Sequence, residues 1–339
     1  MTKIYNVLII FLYFSLFLSC NSEISDNEDV DDGTHKAISF SSSTDLDIGE
    51  QHALTKATSL ADFPNNGNIG VVAANYVDPS SPDPINWIGY PDISNAAAKA
   101  TAFSNNTFSF AFNPVKYWPF DGSELVFIAY SPLAADGSAV ELNDDYHSLN
   151  LTLQDDMPDV LYASNNSLKT PYTKASGIID LGAFRHALSQ LTIVVKGDAP
   201  NVKIQSLSVD TYKYAELDLL EGDNGITEGS DIFNYPFIST NTDFSNASPY
   251  KKTVLVYPSS EDNTVIHLVL KDNTISYPFD LPAAYFLKDD DPSNSVTLAR
   301  GKNTTLTITV SGVGLTTNIH LQGQISPWID RGDFGIIIE

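Results

Sequence analysis

The sequence predicts an all-β chain built as two tandem antiparallel β-sandwich domains, and three observations predict it. Apolar residues recur at every second position in many short runs, of which Phe108, Phe110 and Phe112 make the clearest. Clusters of Gly, Asn, Asp and Pro, such as Pro64, Asn65, Asn66 and Gly67, interrupt those runs with turn chemistry. No regular alternation of strand and helix patterns is visible, so a parallel α/β sheet is not indicated. At 339 residues the chain suits two domains of roughly 100–200 residues each.

The amino end reads differently from the body. One basic residue, Lys3, precedes an apolar run at 7–18 and then Ser19 and Cys20. That run is too short to span a bilayer and matches an export signal with a small residue at the cleavage point. Cys20 is the single cysteine, so no intramolecular disulfide can form. Its position resembles a lipoprotein signal, which makes Cys20 the expected lipid attachment site and the outer membrane the expected anchor. Residues 1–20 are therefore read as signal peptide and 21–36 as an acidic tether carrying Glu23, Asp26, Glu28, Asp29, Asp31 and Asp32. Placed just after Cys20, the acidic run also resembles the surface-export signal of lipoproteins, a simple solvated spacer being the alternative.

An N-terminal domain is expected over 37–175. It opens with a short alternating stretch, Ile38 and Phe40 on one face, followed by a polar loop at 44–55. Strands are expected at 69–76, 107–112, 125–130, 149–153 and 160–163, with 125–130 apolar on both faces and so central in a sheet. Ala96, Ala97, Ala98 and Ala100 favour a short helix at 94–102. Tyr117, Trp118 and Pro119 read as core plugs beside strong strands, the alternative being an exposed platform for a sugar ring.

The polar stretch 164–176 leads to a seam at 177–197, where Phe184, Leu188 and Leu191 are apolar anchors. Its strand should point Leu191, Ile193 and Val195 inward and Thr192 and Lys196 to water. A C-terminal domain over 176–339 follows, with short antiparallel strands expected at 202–209, 253–257, 265–270, 296–298, 304–310 and 318–322.

Composition and motifs exclude more than they identify. The net charge of −24 leaves no basic face for a phosphate backbone, so nucleic acid is not a partner. Six histidines are scattered with no pair at metal-ligand spacing, and His186 and His267 read as structural residues. Nucleophile-elbow, P-loop, dinucleotide and zinc-protease motifs are missing, so neither enzyme activity nor a cofactor is expected. The acidic loops 221–231 and 289–294 hold oxygen ligands of the kind calcium takes, but turn chemistry accounts for both.

Several motifs occur in a telling order. Lys56, Ala57 and Thr58 precede Phe63 and the strand at 69–76. Tyr117, Trp118 and Pro119 precede the strand at 125–130. Residues 159–163 come before the run Leu181, Phe184, Arg185, His186, Ala187, Leu188, Ser189, Gln190 and Leu191. Across about residues 36–339 this order resembles fimbrillin-like proteins, the major-fimbria and Mfa-like subunits of type V pili in Gram-negative anaerobes. The resemblance implies two transthyretin-like sandwiches and a cell-surface fimbrium. Its implied partners are other pilin subunits, whether self-polymer, tip or anchor proteins, and a host or bacterial surface ligand.

It also implies assembly by proteolytic strand release and donor-strand exchange. Ile38 and Phe40 would then be the plug, 44–56 the cleavable loop and Ala57 the new amino terminus. In the family the cut is arginine-specific, yet no arginine precedes Arg185, which leaves Lys56 as the expected processing site because Lys36 lies before the plug. Phe334, Ile336 and Ile338 form the candidate donor strand, unless that run pairs within its own domain. The alternative function is a surface lipoprotein that binds glycans through aromatics such as Trp87 or Trp118.

Overall fold

The computed structural model describes residues 36–43, 63–77, 85–86, 93–163, 165, 171–199, 201–221, 225–238, 240–259, 264–282, 286–288, 298–311 and 318–327. From the amino end the strands are β1 (Ser39–Ser43), β2 (Asn68–Tyr76), β3 (Ile85–Asn86), β4 (Ala96–Ser104), β5 (Thr107–Phe112), β6 (Leu125–Ser131), β7 (Val140–Leu142), β8 (Ser148–Thr152) and β9 (Leu161–Ala163). Next come β10 (Ile179–Asp180), β11 (Phe184–His186), β12 (Ser189–Asp198), β13 (Lys203–Tyr212), β14 (Tyr214–Asp218), β15 (Ile226–Glu228) and β16 (Ile232–Ile238). The last are β17 (Tyr250–Val256), β18 (Val265–Lys271), β19 (Ser276–Pro282), β20 (Leu287–Lys288), β21 (Lys302–Ser311) and β22 (Asn318–Pro327). The described residues contain no α-helix, and the all-β class is the observed one.

The nine-stranded sheet runs β10-β1-β5-β4-β2-β6-β9-β11, with β3 added to β2. Its alternation is that of the sequence: Phe108, Phe110 and Phe112 on β5 are buried and their neighbours are half-exposed. In a flat sheet β1 and β6 would lie about 19 Å apart, four strand spacings. Instead the rings of Phe40 on β1 and Phe127 on β6 sit 5.4 Å apart. Phe110 on β5 and Phe184 on β11 are likewise 5.8 Å apart. The sheet therefore curls around its own aromatic core, as a right-handed twist and a bulge in β4 between Ala100 and Ala102 allow.

β6 is buried along its whole length, as expected of a central strand. Phe127 and Ala129 face the aromatic core, and the alternate residues Ile128 and Tyr130 face a second, largely aliphatic core. Gly70 on β2 makes room for this. A Cβ there would lie 2.5 Å from the Tyr130 ring, so any side chain would displace it.

Three further sheets enclose the aliphatic core, with orders β17-β12-β21-β22-β20, β16-β13-β18-β19 and β15-β14-β8-β7. The last joins strands from both sides of the seam, pairing Leu149 with Leu217 and Leu151 with Ala215. β10 and β11, beyond residue 175, belong to the nine-stranded sheet. Residues Ala37–Glu339 make one compact unit.

Three local expectations are corrected. The alanine-rich stretch is not a helix but β4, because paired backbone on both flanks, β2 and β5, outweighs alanine propensity worth only tenths of a kcal/mol per residue. Thr192 is buried rather than turned to water, and its hydroxyl is satisfied by Thr253 Oγ1 at 2.9 Å and Asn303 Oδ1 at 3.1 Å. Not all pairs are antiparallel: β12 runs parallel to β21 from Gln190 opposite Asn303 to Asp198 opposite Ser311, and β1–β10 and β20–β22 are parallel too.

Candidate functional site

The feature that most invites a functional reading is the first strand. β1 is inserted between β5, antiparallel from Ser39 opposite Ala111 to Ser43 opposite Thr107, and β10, parallel with Phe40 opposite Ile179. An interior position for a strand of five residues gives it two ladders of backbone hydrogen bonds. Further bonds reach past its ends. The Ile38 amide donates to the Lys116 carbonyl at 2.9 Å, and the Leu181 amide donates to the Ser41 carbonyl at 2.8 Å.

The inward face of β1 is Ile38, Phe40 and Ser42, all nearly inaccessible to solvent. Phe40 meets Phe112 at 5.2 Å and Phe127 at 5.4 Å, both edge to face, the geometry that the ring quadrupole favours. Ser42 is a polar intruder in this row, and its hydroxyl donates to the Gly182 carbonyl at 2.5 Å. Withdrawal of β1 would bare the edges of β5 and β10 and the rings of Phe112 and Phe127. A slot of that kind is an acceptor for any strand with apolar residues in alternation.

The rest of the aromatic core fixes the slot in place. Phe63 packs on Phe108, Phe110 and Phe184 at 5.1, 5.2 and 5.1 Å. The seam anchors Phe184, Leu188 and Leu191 are all buried, as expected. Two motifs distant in sequence meet here: β11 pairs antiparallel with β9, and His186 Nδ1 lies 3.0 Å from the Asp159 carboxylate. Both side chains are buried, so the pair satisfies groups that would otherwise be costly to dehydrate. Sequence reasoning named both segments but not the pairing.

Trp118 is buried and set edge to face against Phe127 at 6.0 Å. It is a core plug, with no ring face open for a sugar. Phe120 is the exposed aromatic of that loop. Trp87 lies outside the described residues, as do Cys20, Lys56, Ala57, Phe334, Ile336 and Ile338. The loop 289–294 is outside them as well, and of 221–231 the residues Ile226–Glu228 form β15. Among the described residues no group of three His, Cys, Asp or Glu side chains is placed to hold a metal ion.

The histidine on β18 does more than fill a strand face. His267 Nε2 is 2.8 Å from Asp210 Oδ2 on β13, and Nδ1 is 2.7 Å from Asp280 Oδ1 on β19. Burial of the ring favours its neutral form, but the hydrogen bonds and charges of Asp210 and Asp280 outweigh that and raise its pKa.

Comparison with curated protein sequences finds no match. Among solved structures, a candidate cell adhesion protein of Bacteroides uniformis superposes with a TM-score of 0.51 at 17% identity, over 86% of this chain and 98% of that one. A fimbrial protein of Bacteroides vulgatus gives 0.49 at 14% identity, over 86% and 99%. The fimbrial anchor protein Mfa2 of Porphyromonas gingivalis gives 0.44 at 11% identity, over 87% and 99%. At such identities the likeness speaks for the fold alone. The sequence itself matches the fimbrillin-like family from residue 55 to residue 328, most of its length, and the chain belongs to that family.

Proposed function

We propose that this chain is a structural or adhesive fimbrial subunit, exported as a lipoprotein precursor anchored through Cys20 and assembled by strand release and donor-strand exchange. As a fimbrillin-like protein it is structural rather than enzymatic. One observation carries the assembly step: the first strand of the described body occupies an interior slot, although in sequence it joins the remainder only through residues 44–62. A cut within that segment would sever β1 from β5 and β10 covalently and leave it held by non-covalent contacts alone.

Energetics favour refilling over vacancy. Each ring bared by loss of β1 costs about 1.5–3 kcal/mol to leave in water, besides the unpaired amides of two strand edges. A strand from a neighbouring subunit would recover both. The proposed cut follows Lys56, with Ala57 as the new terminus, and Phe334, Ile336 and Ile338 as the strand donated onward to other pilin subunits at the cell surface.

The test is the Lys56→Ala variant beside the wild type, each exposed to a trypsin-like protease under native conditions. Wild type should yield ladders of heat-labile polymers whose subunits begin at Ala57, while Lys56→Ala stays monomeric. Polymers of equal length from both, or a mature terminus elsewhere, would rule out this processing site.

A further inference from the structure

The outer face of the β16-β13-β18-β19 sheet carries one polar row from edge to edge. Asn234 Nδ2 on β16 donates to Asp210 Oδ1 on β13 at 2.8 Å, Asp210 Oδ2 faces His267 on β18 at 2.8 Å, and His267 faces Asp280 on β19 at 2.7 Å. His267 stands directly opposite Asp280 in the register, and Ser208 is its direct partner on β13. A neutral imidazole has one N–H and can donate to only one of these carboxylates. The geometry is complete only when both ring nitrogens carry protons.

β19 is the strand that needs such a fastening. It is an edge, paired to β18 alone, and two of its seven residues, Pro278 and Pro282, bring no backbone N–H. Asp280 lies between them. We propose that His267 is a protonation-dependent clamp that fastens edge strand β19 to its sheet, closed when the imidazolium bridges Asp210 and Asp280 and open when the ring is neutral.

The surrounding groups support a single switch. On this face β13 offers Lys203, Gln205, Ser206, Ser208, Asp210 and Tyr212, with Gln205 Oε1 accepting from the Ser276 hydroxyl of β19 at 2.5 Å, and β16 offers the neutral Asn234. β18 adds Val265, Val269 and Lys271, and β19 adds Ser276, Pro278 and Pro282 beside Asp280. Among the described residues, the other cations on this face are Lys271, four residues from His267, and Lys203 directly opposite Lys271, which pairs with Asp243 at 3.1 Å through its own ammonium. The sign is fixed by the raised pKa of the folded ring: the clamp is fully engaged below the ordinary histidine value of about 6.5 and is lost as pH rises through the folded value.

Hydrogen exchange of the full-length chain tests this at about pH 6 and about pH 9, with rates corrected for intrinsic chemistry. Wild type should lose protection over Ser276–Pro282 at the higher pH by roughly two- to fivefold, the scale of a part-exposed ion pair. His267→Gln should show the weaker protection at both pH values. NMR titration of the His267 ring gives a second reading, its midpoint falling in Asp280→Asn, a change at an exposed side chain. Protection independent of pH in wild type, a pH effect that survives in His267→Gln, or an unmoved midpoint in Asp280→Asn would overturn the clamp.

Discussion

The two cores of this molecule solve the same problem with different materials. The core inside the nine-stranded sheet is aromatic, with Phe40, Phe63, Phe108, Phe110, Phe112, Phe127 and Phe184 in edge contact, and its closure includes a five-residue strand. The core on the other side is aliphatic and is enclosed by longer strands, of which β12, β13, β21 and β22 have ten residues each. Large rings leave large holes, so the first core depends on one inserted strand to fill its gap. The second spreads its closure over continuous ladders such as β12–β21 and, among the described residues, has no comparable single plug. Local stability should differ in the same sense, with the short strand that closes the aromatic core opening more readily than the long ladders.

Phe40→Ala should be the most damaging single change in the first core, at about 3–5 kcal/mol, because it removes a buried ring from a site whose neighbours are rigid. Denaturant unfolding at constant m-value measures it. Ile308→Val in the aliphatic core should cost only about 0.5–1.5 kcal/mol. Equal losses would erase the distinction between a plugged core and a laddered one.

The laddered core has its own weak position, set by backbone rather than by side-chain volume. Gly197 on β12 has φ +148°, and a Cβ built on it would lie 1.8 Å from the Val310 carbonyl oxygen of β21. Gly197→Ala should therefore push the parallel pair apart and cost about 3 kcal/mol, combining strain with overpacking. Exchange should rise along β12 and β21 while the β1–β5 ladder keeps its protection. Loss of protection at β1 as well would mean that the two cores open as one unit.

Much of this contrast could be read from the chain, and the reasons for the rest are physical. Period-two patterns located β5 and the doubly buried β6, since alternation reports directly which face is covered. Ala96 to Ala100 misled, because alanine has a strong local preference and the sheet that overrides it is assembled from distant strands. Partners across long sequence separations were illegible for the same reason: nothing local in Leu149 or Leu217 announces their pairing, and neither Asp159 nor His186 announces the other. Of the candidate site, alternation puts Ile38 and Phe40 on one face of a short strand and only the family resemblance makes them a plug; both are buried in the slot. Alternation with Leu191, Ile193 and Val195 turns Thr192 to water, whereas Thr253 and Asn303, from two other strands, make its burial tolerable.

The smallest expected effect sharpens the comparison by confining itself to one hairpin. Asp272, in the turn between β18 and β19, accepts from the Ile275 amide and the Thr274 amide at 2.7 Å each, with the Thr274 and Tyr277 hydroxyls adding at 3.1 Å. These bonds favour the carboxylate and hold its pKa down to about 2. A depressed folded value means that the stabilisation is present above the ordinary aspartate range of about 3.9 and disappears as pH falls toward about 2. The Thr274 and Ile275 amides should accordingly lose protection over that interval, and the side-chain carboxyl signal should titrate with its midpoint near the lower end. Asp272→Asn should remove the acid dependence of those two amides and leave the β1–β5 ladder as in the wild type. A carboxyl midpoint near 4, or an acid response of β1 that changes with Asp272→Asn, would show that the turn is not the self-contained unit its hydrogen bonds describe.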